Sequence, residues 1–150
     1  MELVSKDKQV NILTIPKKTT AFIQPLDVFG FRIWKNFIRS FSDSVILNNY
    51  DINLHLRNNI IKLQSLAHNQ LSSPRFRNLF KYSWYKSGYL STRPEKFENP
   101  TNYCYFKEEK HIPKCSICGK MAFIRCAWCK YYFCFEHFFE QYHYCNNYIE

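Results

Sequence analysis

The chain has 150 residues, 46% of them hydrophobic, and a formal net charge of +9 at pH 7. That length suits one domain or two small ones, and the apolar share argues against a disordered chain. No apolar run reaches the roughly 18 residues that a bilayer span needs, and the opening "MELVSKDKQVNILTIP" lacks the layout of a signal peptide, so an intracellular protein without a membrane partner is expected.

In chain order, "VNILTIP" (10–16) is β-branched and apolar and stops at a proline, which predicts a buried strand. "KKTTAFIQPL" follows as a loop carrying Lys17 and Lys18. From Asp27 the spacing turns helical, with Phe29, Ile33, Phe37 and Phe41 recurring every four residues. Arg32, Lys35 and Arg39 share another face of that helix, suited either to phosphates or simply to solvent. Asp27 itself reads in two ways: as a cap on the helix beginning at Val28, or as one carboxylate of a metal-binding catalytic site.

A second helix is predicted from Asp51 to about Leu71, with Asp51 as its cap and Leu54, Ile60, Ile61, Leu63, Leu66 and Ala67 on its apolar side. "SSP" restarts a helix, with Ser73 as N-cap and Pro74 at the first position, and this third helix ends near Gly88. Phe76, Leu79, Phe80, Ser83 and Trp84 form its inner side, while Arg75, Arg77, Lys81 and Lys86 face outward. Residues 91–114 hold three prolines and no periodicity, and read as a linker between a unit over 1–90 and a module over 115–145.

Seven cysteines in such a chain point to metal ligands in preference to disulfides, and six of them fall within 115–145. The spacing there is Cys115-x2-Cys118-x7-Cys126-x2-Cys129-x4-Cys134-x2-His137-x5-His143-x-Cys145. A two-residue gap lets both thiolates of a pair reach one ion from a tight turn, and Gly119 suits the first turn. Eight such ligands suffice for two tetrahedral zinc ions. In an interleaved cross-brace, Cys115, Cys118, Cys134 and His137 hold one ion, and Cys126, Cys129, His143 and Cys145 hold the other. With every position filled by protein, both ions would be structural. The aromatics around the ligands either wrap the ions or offer a surface to a protein partner. Cys104 stands apart from the pattern.

Two resemblances add to this. The segment from Cys126 to Cys145 is similar to the zinc finger of the stress-associated-protein family. The segment "IPKKTTAFIQPLDVFGFRIWKNF" resembles the last acidic motif of the pogo and mariner-like DDE transposases, a superfamily of endonucleases. The matching elements are Ile15-Pro16, Thr19-Thr20, Gln24-Pro25-Leu26-Asp27 and Lys35. The resemblance implies an RNase H-like fold in which Asp27 is the third carboxylate, joining two others to hold Mg²⁺ for phosphodiester cleavage.

Nine residues precede the predicted strand, and they are not expected to supply a central sheet with the two other aspartates. Taken alone, the chain is therefore expected to be mainly α with minor β: the C-terminal portion of an RNase H-like fold, one strand plus helices, joined to a two-zinc cross-brace. It is expected to be a transposon-derived protein that binds nucleic acid, DNA above all, in the nucleus, and not to cleave it unaided. The basic excess, 21 Lys and Arg against 12 Asp and Glu, agrees with such a partner. Two alternatives remain: a piece of an active transposase that uses Mg²⁺ once completed upstream, and a zinc-dependent protein-interaction module.

Overall fold

The computed structural model describes residue 14 and residues 16–106 and 110–148. The strand predicted over 10–16 falls almost wholly outside them. What is described is about half helical, with one small two-stranded sheet.

The helical part begins with α1 (Thr20–Ile23), a single turn after the Lys17–Lys18 corner. Pro25 then opens a π-helical turn, Leu26–Gly30, which runs without a break into α2 (Phe31–Leu47). The four-residue spacing works as expected: Ile33, Phe37, Phe41 and Val45 are buried along one side. Arg32, Lys35 and Arg39 are exposed, and helical geometry sets them nearly opposite that stripe.

α3 spans Arg57–Leu71 and begins six residues later than predicted. Asn53 accounts for the delay. Its side chain accepts the His55 amide at 2.9 Å, and its carbonyl accepts from the Leu56 amide and the Asn59 side chain. Local bonding of this kind offers the backbone a turn in place of a helix. Asp51 lies before that turn, exposed, and caps nothing. Leu63, Leu66 and Ala67 are buried as expected, whereas Ile60 and Ile61 face solvent.

Pro74 opens a short 3-10 turn, Pro74–Phe76, that leads into α4 (Arg77–Lys86). Ser73 makes no side-chain cap; its hydroxyl donates to the Ala127 carbonyl, 3.1 Å away, in the cysteine module. α4 ends in a Schellman motif, with Tyr89 N–H bonded to the Trp84 carbonyl and Gly88 N–H to that of Tyr85. Gly88 supplies the left-handed residue, φ +80°, that this closure requires.

The segment read as a linker carries a helix, α5 (Pro100–Cys104). Asn99 caps it by accepting the Thr101 amide at 2.9 Å, and Pro100 takes the first position. Five residues are too few to leave a periodic trace in the sequence. Cys104 and Tyr105 are buried, and the Tyr105 hydroxyl donates to the Phe37 carbonyl of α2 at 3.3 Å. Tyr103 is held between two guanidinium groups, with Arg75 of the 3-10 turn 4.1 Å from its ring centroid and Arg125 of the cysteine module 3.8 Å from it.

The module itself is built on β1 (Ile124–Arg125) and β2 (Tyr132–Phe133), antiparallel, with Ile124 opposite Phe133 and Arg125 opposite Tyr132. A π-helical turn, Glu136–Glu140, follows. One hydrophobic cluster runs from Ile33 on α2 to Cys145 in the module, so the helices and the cysteine-rich segment share a core. Phe41 is its hub: its ring centroid lies 5.0 Å from that of Phe123 and 5.2 Å from that of Phe139. Among the described residues, the segment expected as a linker and the module both pack on the helices through this cluster. Aromatic side chains from both parts bury one another, which neither could do alone.

Candidate metal centre

Each half of the module starts from a tight turn at a Cys-x2-Cys pair. In the first, the Gly119 amide bonds to the Cys115 carbonyl at 2.9 Å; in the second, the Lys130 amide bonds to that of Cys126 at 3.0 Å. Both turns close through a left-handed residue, Gly119 at φ +71° and Lys130 at φ +68°. Glycine accepts that conformation freely, while a lysine carries a steric cost of about 1–2 kcal/mol. The second turn keeps it all the same, which indicates that the surrounding contacts hold the backbone there.

The turns face two later pairs. Cys134 and His137 stand at the start of the π-helical turn, and His143 and Cys145 follow it. The result is two groups of four: Cys115, Cys118, Cys134 and His137, then Cys126, Cys129, His143 and Cys145, with the ligand atoms of each group within 4.8 Å of one another. This is the interleaved pairing expected from the spacing.

Three of four ligand separations match tetrahedral coordination, and the fourth is shorter by a few tenths of an ångström. Bond lengths of about 2.3 Å to sulfur and 2.0–2.1 Å to nitrogen put neighbouring ligand atoms about 3.5–3.8 Å apart. In the first group Cys118 Sγ lies 3.7 Å from Cys134 Sγ, and His137 Nδ1 lies 3.5 Å from Cys115 Sγ and 3.1 Å from Cys134 Sγ. In the second, Cys129 Sγ lies 3.8 Å from His143 Nε2. The two histidines present different ring nitrogens.

The electrostatics show thiols crowded into one place. At Cys115, burial opposes ionisation, but the backbone amides of Cys118, Cys134 and Ile117 outweigh it and hold the thiol down at about 6. Cys126 is pushed up to about 12 by its hydrogen bond to Cys129 and by burial, while the same bond lowers Cys129. Burial raises Cys134 to about 11 and also raises Cys145. A divalent ion removes the conflict by taking the place of the shared protons. Three thiolates and one imidazole fill all four positions, so neither group leaves room for a reactive water.

The aromatics beside the ligands divide cleanly. Phe135, Phe138 and Phe139 are core, whereas Tyr131, Tyr142 and Tyr144 are exposed. Trp128, between two ligands, is half-buried and donates its indole N–H to the Asn69 carbonyl at 2.6 Å. Cys104 belongs to neither group; it is fully buried, and burial pushes its thiol well above the ordinary range.

Asp27 has a different setting. It lies exposed in the turn that Pro25 opens, inside the helical run and not ahead of it, so it does not cap a helix starting at Val28. Among the described residues, its carboxylate has no side-chain hydrogen bond or ion pair, and the metal-ligating groups include neither it nor any other carboxylate. Lys17 and Lys18 sit in the exposed corner before α1.

The fold is a helical platform carrying two interleaved Cys/His groups, each of which could hold a metal ion. Residues 84–145 match the family described as the Tc5 transposase C-terminal domain. The matched segment starts at Trp84 on α4, contains α5 and takes in all eight ligands. The match supports a transposase-derived origin for the protein. Neither the curated proteins nor the solved structures contain a match. Among the described residues no helix is long and apolar enough to cross a membrane.

Proposed function

We propose that this is a transposon-derived, nuclear protein that binds DNA, with two zinc ions holding its C-terminal module in shape. The observation that carries the reading is the match to a transposase C-terminal domain across all eight ligands. Zinc is the ion that a Cys3His set at tetrahedral spacing favours, because it accepts thiolate and imidazole together. Since one family match covers the whole cross-brace, we assign the finger to that transposase domain in preference to the stress-associated-protein family. The pogo and mariner-like signature from Ile15 to Lys35 would then be the remnant of a DDE catalytic region. Asp27 would be its third carboxylate, without partners among the described residues.

Arg32, Lys35 and Arg39 would contact phosphates, aided by Lys17 and Lys18. Fluorescence anisotropy of the zinc-loaded chain on duplex DNA at several salt concentrations tests this. Each lost phosphate contact should lower the log–log salt slope by about 0.9, so replacing all three helix residues by alanine should lower it by about 2–3. Binding that is absent, or indifferent to salt, refutes the reading.

Two other readings have their own support. Asp27 would serve catalysis with Mg²⁺ if two further carboxylates were brought to it from outside the described residues; Mg²⁺-dependent nicking by this chain would favour that. The exposed Tyr131, Tyr142 and Tyr144 would suit a protein partner of the finger. Their alanine variants would then lose that partner while keeping both metal ions.

A further inference from the structure

Two adjoining clefts, of about 530 and 520 Å³, share Ser73, Pro74 and Trp128 and form one groove. One wall is α4, where Arg77, Lys81 and Trp84 follow at i, i+4 and i+7 and so share a face. The other wall is the second metal-binding turn, which contributes Trp128 and Lys130. Ser73 stitches the walls together through its bond to the Ala127 carbonyl.

Each indole ring has an aromatic neighbour. Trp84 is 51% exposed, and Tyr89 braces it edge-on with ring centroids 5.4 Å apart. Trp128 is anchored through Asn69, and Tyr148 packs against its ring at 5.4 Å. The groove is also strongly cationic. Arg77, Lys81, Lys96 and Lys130 line it, and its one acid, Glu98, is engaged by Arg75.

We propose that this groove binds single-stranded DNA, its bases stacking on Trp84 and Trp128 and its phosphates meeting Arg77, Lys81 and Lys130. The inference rests on the nucleic-acid reading above and adds a strand type and a location. Rigid aromatic faces set among cations are what an unpaired strand needs, because its bases expose their π-faces. A duplex hides those faces and shows only base edges and phosphates. The metal site is part of the device, since Trp128 sits between ligands Cys126 and Cys129 and is positioned by the turn they close.

The test uses the zinc-loaded full chain and three labelled probes. These are an oligo(dT) and an oligo(rU) of about 12 nucleotides, within the range single-strand sites cover, and a duplex of equal length. Trp84→Ala should weaken oligo(dT) binding about tenfold or more while changing duplex binding less than about twofold. Lys81→Ala, exposed and clear of the core, should lower the single-strand salt slope by about 0.7. Duplex binding with no oligo(dT) binding, or an equal loss on both probes in Trp84→Ala, overturns the groove and leaves the DNA reading standing. Tighter binding of oligo(rU) overturns the choice of DNA. Failure to bind any probe overturns both inferences together.

Discussion

Two regions of the molecule carry groups able to bind a metal, and they differ in how many such groups meet at one point. In the C-terminal module eight side chains converge in fours. Near the other end Asp27 stands on an exposed helical turn and, among the described residues, belongs to no such group. A divalent ion gives up its water shell only where several donors replace it together, so convergence, not the presence of a ligand type, separates a site from a side chain. Within this chain the module has the means to hold ions, and Asp27 has one oxygen pair facing solvent.

The sharpest way to test that contrast is to remove one ligand. Structural zinc contributes apparent free energies of about 10–16 kcal/mol in small fingers, as large as the ~5–15 kcal/mol that holds a whole domain together. Cys126→Ser should therefore lose an ion by native mass spectrometry. Because Phe41 of α2 packs directly on Phe123 and Phe139 of the module, the helical circular-dichroism signal should fall along with it. A full helical signal in the metal-depleted variant would show that the helices stand alone. Acid should act in the same direction: the metal-bound state carries fewer protons than the free thiols, so lowering pH favours release, which a colorimetric zinc indicator can follow.

Next in size is the shared core. Phe41 is fully buried, and Phe41→Ala should cost about 3–5 kcal/mol in chemical denaturation. If the two regions are one cooperative unit, tryptophan fluorescence in a Trp34→Phe, Trp84→Phe background, reporting Trp128, and circular dichroism, reporting the helices, should move to the same lower midpoint. Divergent midpoints would favour a two-domain description. A smaller effect is expected where the helices meet the second metal-binding turn. The Ala127 amide donates to the buried Gln70 side chain at 2.7 Å, and Gln70→Leu leaves that donor without a partner. The expected loss is about 1–3 kcal/mol, together with faster zinc transfer to a chelator from the second group.

What could be read from the sequence, and what could not, follows from how local each signal is. The two groups of four were legible because a Cys-x2-Cys pair and its partners encode their convergence in spacing alone. The buried stripe of α2 was legible for the same reason, since Ile33, Phe37 and Phe41 repeat within one element. The start of α3 was misplaced because Asn53 forms a turn with residues on both sides of the expected boundary. The helix at Pro100–Cys104 is too short for periodicity, and its hold on the core comes from Tyr105 reaching α2 and from Arg125 covering Tyr103. The groove between Trp84 and Trp128 joins residues far apart in the chain, and no local pattern could have announced it.

The smallest effect should come from Asp27. It is exposed and unpaired among the described residues, so its contribution is confined to favourable placement near the positive end of a helical run. Asp27→Asn should then change stability by less than about 1 kcal/mol and leave both zinc ions in place. A thermal melt with and without Mg²⁺ extends the test. An isolated carboxylate holds Mg²⁺ too weakly to stabilise the folded state, so the wild-type melting temperature should not respond to the ion. If Mg²⁺ raises it in the wild type and fails to do so in Asp27→Asn, other carboxylates must reach Asp27, and this end of the chain would hold a second metal centre.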